Sequence, residues 1–248
     1  MLNDPLFVAL AVVAVLFAGV SKGGFGSGAS FAAAPLMALV IEPQVALGIM
    51  MPVLIVIDLT AVRPYWRKWD WAKGRLLMLS AIPGLLLGYL LLSVAPTDVL
   101  RGLIGAVALL FVAWRLLGAH RMEGGRPLPA WVGALCGATA GFTSFVSHAG
   151  GPLVAVYMLS RQIDKTTYQA TTVLIFGVLN AVKVGLYVPL GLYTADTLVT
   201  SLWLAPVAVV GTYLGVWAHR VVPERVFFGL TYVMLICAGS KLLWDAFT

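Results

Sequence analysis

Ser21-Lys22-Gly23-Gly24-Phe25-Gly26-Ser27-Gly28 and Ser144-Phe145-Val146-Ser147-His148-Ala149-Gly150-Gly151-Pro152 each interrupt a hydrophobic run with small and polar residues. The two stretches occupy equivalent positions in the two halves of the chain. In a bilayer, non-helical backbone is tolerated only where protein shields it or where it lines a wet cavity. A matched pair of Gly/Pro-interrupted segments therefore points to a solute site between the halves of a membrane carrier.

Composition agrees with a membrane setting. Of 248 residues, 61% are hydrophobic and 10% charged, against roughly 25% charged in soluble domains. The run from Phe7 to Val20 has no basic leader and no small-residue cleavage site, so it reads as a retained helix and not a signal peptide. Cys136 and Cys237 both lie in apolar runs, which fits packing better than a disulfide framework. No CxxC, HExxH, P-loop or GxSxG pattern occurs, so no cofactor or resident metal is expected.

Ten apolar segments emerge: 6–20, 29–41, 43–62, 75–95, 99–118, 130–145, 149–160, 166–188, 197–218 and 226–247. Six of them are long enough to span about 30 Å of hydrocarbon. The first, second, sixth and seventh reach only about 18–24 Å at helical rise, and each short pair flanks one break. Arg63, Arg67, Lys68, Lys73 and Arg75 crowd one loop beside Tyr65, Trp66, Trp69 and Trp71. Arg115, Arg121 and Arg126, then Arg161 and Lys165, then Arg220 and Arg225 complete 12 of the 16 Lys and Arg residues. One threading puts all of these on one side. By the positive-inside rule that side is cytoplasmic, and both termini face outward from the cell membrane. The net charge of +6 is thus topological and calls for no nucleic acid.

A shift of 122–123 residues brings Gly19 onto Gly141, Asp58 onto Asn180, Pro83 onto Pro206 and Gly88 onto Gly211. After a four-residue insertion, Pro96 falls on Pro223 and Gly102 on Gly229. The first half starts outside and ends inside, and the second does the reverse. The expected fold is an all-α integral membrane protein of two inverted repeats. Each repeat holds a Gly-rich broken or re-entrant helix pair plus three spanning helices, about 8 to 10 membrane segments in all. The first repeat covers 1–120, a cytoplasmic linker 121–129, and the second repeat 130–248. Helices starting near Ala29 and Ala149 would turn free N–H groups and positive dipole ends to one point, which suits an anion. Glycines there admit close backbone approach or positive φ, and Pro152 suits a first helical turn.

With these features the chain resembles the sulfite exporter TauE/SafE family, also called the toluene sulfonate uptake permease family. The resemblance rests on Gly23-Gly24-Phe25-Gly26-Ser27-Gly28 running to Pro35-Leu36. In the second half it rests on Gly141-Phe142-Thr143-Ser144 followed by His148-Ala149-Gly150-Gly151-Pro152. Ser147-His148 departs from the glycine-richer stretch usual there. The resemblance implies transport of a small sulfur-containing or organic anion such as sulfite, a sulfonate or sulfoacetate.

The candidate substrate-binding residues are Lys22, Gly24, Gly26, Ser27 and Gly28 in the first break. In the second they are Ser144, Ser147, His148, Gly150 and Gly151. Lys22 stands out because charge inside a membrane is costly and tends to be functional; the ordinary alternative is snorkelling to the surface. His148 could bind an anion, donate while neutral, or shuttle a proton. Ser21, Ser30 and Thr143 add hydroxyls that could equally cap helices. Asp58, Asn180, Lys183 and His148 form the coupling or gating set, with Lys183 one turn beyond Asn180. Inversion puts Asp58 and Lys183 toward opposite ends, so direct pairing between them is not expected. Gln169, Thr171 and Thr172 open the eighth segment next to the second break. An enzyme is disfavoured, because His148 with His120 and His219 in loops makes no zinc site and no catalytic dyad recurs. The alternative to an anion transporter is a proton- or cation-coupled carrier or a channel for another small solute. The expected partners are the lipid bilayer, a small anionic substrate and coupled protons, with the chain a monomer or homodimer.

Overall fold

The computed structural model describes residues 1–25, 32–117, 127–221 and 224–248. Among the described residues every regular element is helical. Helix α1 is Pro5–Val20 and runs directly into a π-helical turn, Ser21–Phe25. Then come α2 (Ala33–Met37), α3 (Pro43–Val62), α4 (Trp71–Val94) and α5 (Thr97–Leu117). The second half holds α6 (Ala130–Ser147), α7 (Gly151–Leu159), α8 (Lys165–Tyr187), α9 (Ala195–Val221) and α10 (Glu224–Phe247).

Eight of these helices are long and apolar enough to cross a membrane. This corrects the sequence reading of two segments. The first is not too short: α1 continues through Ser21–Phe25 to give 21 residues. The sixth likewise extends to Ser147, giving 18. The first small and polar residues of each break prolong the helix: in the first, Tyr65 and Gln169 bond the Gly23 and Lys22 carbonyls of the π turn, and in the second the helix runs on to Ser147 before ending at His148. Only α2, with 5 residues, and α7, with 9, are too short to span. Leu128 N donates to Ser160 Oγ at 3.4 Å, tying the start of α6 to the end of α7. The α6–α7 unit is therefore a hairpin whose two ends return to the same face.

Caps set where the spans begin. Asp4 accepts from Leu6 N and Phe7 N ahead of Pro5, and Asp164 accepts from Thr166 N and Thr167 N, both at 3.0 Å. Asp70 caps α4 at Lys73 N, 3.1 Å. Each carboxylate satisfies N–H groups that the helix leaves unpaired. Hydrogen bonding to the Lys73 side chain holds the Asp70 carboxyl below its usual range. Pro52, Pro83 and Pro206 lie inside helices, as bilayer-spanning helices allow. Leu59, Leu110 and Leu202 are more than two-thirds exposed, which places them toward lipid and not toward a packed interior.

Packing pairs α1 with α9, α6 with α4, α5 with α10, and α3 with both α8 and α9. Glycines carry the closest approaches. Gly84 of α4 lies against Ala138 and Phe142 of α6, while Gly211 of α9 lies against Leu16 and Gly19 of α1. One turn further on, Gly88 meets Phe145 and Gly215 meets Val20. Small residues four apart let two backbones come together where lipid offers no hydrophobic drive.

Candidate functional site

The π turn is wedged against α9, where a side chain on Gly23 would collide with the Thr212 carbonyl and one on Gly24 with that of Gly215. This contact fixes the backbone from which Lys22 projects. Single π turns inside α-helices are frequent at functional sites. Lys22 is 2% exposed and ion-paired with Asp58 of α3, itself 4% exposed. It does not snorkel to a surface. Its Nζ also lies 5.9 Å from the Phe176 ring centroid.

From Asp58 a chain of polar contacts crosses to the second break. Asn180 Nδ2 donates to Asp58 Oδ2 at 2.7 Å. Lys183, fully buried, donates from Nζ to the Ser144 carbonyl at 2.6 Å and lies 2.7 Å from His148 Nδ1. Ser144 Oγ at 3.3 Å and Asn180 Oδ1 at 3.5 Å complete its surroundings. Asp58 and Lys183 are linked through Asn180 and not paired directly. The five side chains Lys22, Asp58, Asn180, Lys183 and His148 thus form one buried network.

His148 owes its place to a left-handed backbone. With φ 56° and ψ 17° it ends α6, its N–H bonding the Ser144 carbonyl at 3.0 Å while Ala149 N bonds that of Thr143 at 3.2 Å. Such paired bonds with an αL residue are a helix C-terminal motif usually supplied by glycine. Positive φ was expected at Gly150. It falls on His148 instead, while Gly150 has φ −72°. Gly150 serves close packing: a Cβ there would stand 2.7 Å from the Ala140 carbonyl and 3.0 Å from the Phe176 ring. The expected helix start near Ala149 is at Gly151, with Pro152 in the first turn.

The other candidates separate. Ser147 Oγ turns back to the Thr143 carbonyl at 2.9 Å, as an intrahelical donor. Gln169 was read as neighbouring the second break; its Nε2 donates to the Lys22 carbonyl of the first. Thr171 Oγ1 accepts from Asp70 N at 2.9 Å. Gly26, Ser27, Gly28 and Ser30, the expected helix start near Ala29, and His120 lie outside the described residues.

A cavity of about 240 Å³, lined by none of the five network side chains, is bordered by both breaks, at Gly24 and Pro152. Gln169 joins them, and Arg115, Lys165 and Tyr168 bring polar groups to its wall. Phe25, Phe111, Trp114 and Phe228 make the remainder largely aromatic. Arg115 is held by the Tyr232 hydroxyl, which lies 3.0 Å from Nε. Sequence reasoning missed this wall. Arg115 and Lys165 sit at helix ends, where they read as topological signals, and Trp114 was not singled out.

The model of the sulfite exporter TauE/SafE family matches residues 11–242. The chain belongs to that family. No curated protein and no solved structure matches it. The family match spans both breaks and every member of the buried network. It covers all but the start of α1 and the end of α10. The protein is therefore a multi-pass membrane protein of a transporter family.

Proposed function

We propose that the protein carries a small sulfur-containing or organic anion, of the sulfite, sulfonate or sulfoacetate type, across the cell membrane by alternating access. The observation that carries this reading is the cavity shared by the two breaks, with Arg115 and Lys165 on its wall and the first turn of α7 at its edge. Two cations and the positive end of a nine-residue helix make that space favourable for negative charge. Gly24 brings the first break to the cavity edge while its close packing on α9 holds that backbone in place. Apolar and aromatic walls with a few converging polar groups are the usual make-up of a small-ligand site.

The wall cations belong to the basic loops, so by the positive-inside rule the cavity faces the cytoplasm. Paired packing of α1 on α9 and α6 on α4 supports two inverted repeats, 1–120 and 130–248, that exchange roles between inward- and outward-facing states. Lys22, Gly24, Ser144, His148, Gly150 and Gly151 frame the path. Asp58, Asn180 and Lys183 link the two breaks as the gating group. A cation carrier is less well supported, because Asp58 is already engaged by Lys22 and Asn180.

Flux of labelled sulfite and sulfoacetate into liposomes holding the purified protein, with and without a pH gradient, tests the reading. Saturable anion uptake is the expected result. Uptake of potassium or sodium ions from a cation panel, with no anion flux, would overturn it.

A further inference from the structure

The charges of the buried network do not cancel. Lys22 and Asp58 neutralise each other, and His148 offers an imidazole nitrogen, which leaves Lys183 with no carboxylate among the described residues. Residues 26–31, Gly-Ser-Gly-Ala-Ser-Phe, hold no acid that could serve. Around Nζ stand the Ser144 carbonyl, Ser144 Oγ, His148 Nδ1 and Asn180 Oδ1. The other groups facing the amine are Lys22 and Asp58 beyond Asn180, and the Tyr187 ring at 5.8 Å, with Tyr193 behind it. Tyr187 donates its own proton to the Phe145 carbonyl at 2.7 Å and so gives none to Lys183. An isolated ammonium is strongly disfavoured in a low-dielectric interior, whereas one with an adjacent counter-ion is not.

We propose that Lys183 is where the transported anion and a coupled proton meet. Lys183 does not line the cavity; it is an ammonium while the anion passing between the two breaks lies beside it and a neutral amine when the anion has left. Loading takes one proton from water on the entry side onto Nζ, and release returns that proton to water on the exit side. A monoanion therefore crosses with one proton, and the loaded and empty carriers bear the same net charge. His148 is a positioning residue here: Nδ1 accepts from the amine and holds it toward Ser144. A dianion would need a further proton, for which Asp58 is the nearest acceptor. This inference rests on the anion-transport reading above and assigns its coupling to one atom.

The test uses liposomes containing the full chain, an internal pH dye and the potential clamped to zero. Methanesulfonate is the probe, because it stays a monoanion across the working range, with labelled sulfite as a second substrate. Wild-type protein should move about one proton with each methanesulfonate. Lys183→Arg cannot release its charge at working pH. It should keep anion-for-anion exchange while net proton-linked flux falls about tenfold or more, the scale of losing a hydrogen bond to a charged group. Lys183→Gln should lose both. His148→Ala, which removes that acceptor, should weaken proton-linked flux, and His148→Gln, which can still accept from the amine, should restore part of it.

Anion flux without internal pH change in the wild type would overturn the assignment and leave the transport reading intact. So would proton-coupled flux in Lys183→Gln. Absence of flux for both methanesulfonate and sulfite in the wild type would remove the transport reading, and this proposal with it. The wild-type stoichiometry needs no variant, so the proposal stays testable if a substitution at this fully buried position fails to fold.

Discussion

Asn180 donates a hydrogen bond to Asp58 at 2.7 Å across a sequence separation of 122 residues. The same separation brings Gly19 onto Gly141 in the sequence. Two residues that an axis exchanges can touch only if both lie close to it. If the halves are related by a pseudo-two-fold, this hydrogen bond marks its position. The buried ion pair and the buried lysine then flank the axis on either side.

Removing one partner of the Lys22–Asp58 pair leaves the other charge buried and unmatched. Asp58→Leu should cost about 3–5 kcal/mol, whereas replacing both members with apolar residues of similar size is often close to neutral. Thermal unfolding in detergent should therefore rank Lys22→Met/Asp58→Leu above Asp58→Leu alone. The reverse order would mean that the pair is not buried as described.

Glycines at the helix crossings should be intolerant of added bulk. A Cβ on Gly84 would lie 2.7 Å from Phe142 N, and one on Gly211 would lie 2.8 Å from the Leu16 carbonyl. Gly84→Val or Gly211→Val should destabilise by about 1–3 kcal/mol through overpacking. Gly177 and Gly229, with nothing within 4 Å of a built Cβ, serve as controls. There alanine should gain up to about 1 kcal/mol of helix propensity. Melting temperatures of the four variants check the contrast.

Orientation can be read by thiol labelling in whole cells. With Cys136 and Cys237 replaced by serine, a cysteine at Lys68 should resist an impermeant outside reagent, and one at Asp196 should react. Labelling of the Lys68 site from outside would reverse the assignment of the basic loops to the cytoplasm.

Asp70 gives a pH dependence with a definite sign. Its folded carboxyl is held low by the Lys73 side chain and backbone N–H, so its contribution is present above the unfolded value of about 3.9. That contribution is lost as pH falls through the lower folded value. Asp70→Asn should be less stable than wild type at pH 7, by about 1 kcal/mol or less for a partly exposed cap and pair. The difference should begin to shrink only as pH falls below about 4. Stability curves for both proteins from pH 7 to pH 3 measure this.

The linear pattern was sufficient for the membrane class, the two small and polar stretches and most helix limits, because length and hydropathy are local properties. Runs of about 20 apolar residues have few alternatives to spanning. Lys22, Asp58, Asn180, Lys183 and His148 were also visible singly, since polar groups in apolar runs are conspicuous.

Their partners were not visible. Gly23 and Gly24 read as a break, yet they stay helical because α9 lets the backbone approach and accepts a π turn. His148 takes the left-handed position expected of a glycine because Ser144 and Thr143 receive the bonds that end α6. Arg115 and Lys165 looked like surface signals until α5, α8 and α10 brought them around one cavity with Trp114. Residue type and spacing along the chain thus determined that this protein lies in a membrane and which residues in it are costly. Only tertiary packing decided which lysine is neutralised and which is left unmatched, because the counter-charge for Lys22 lies 36 residues away and no local rule counts charges across helices.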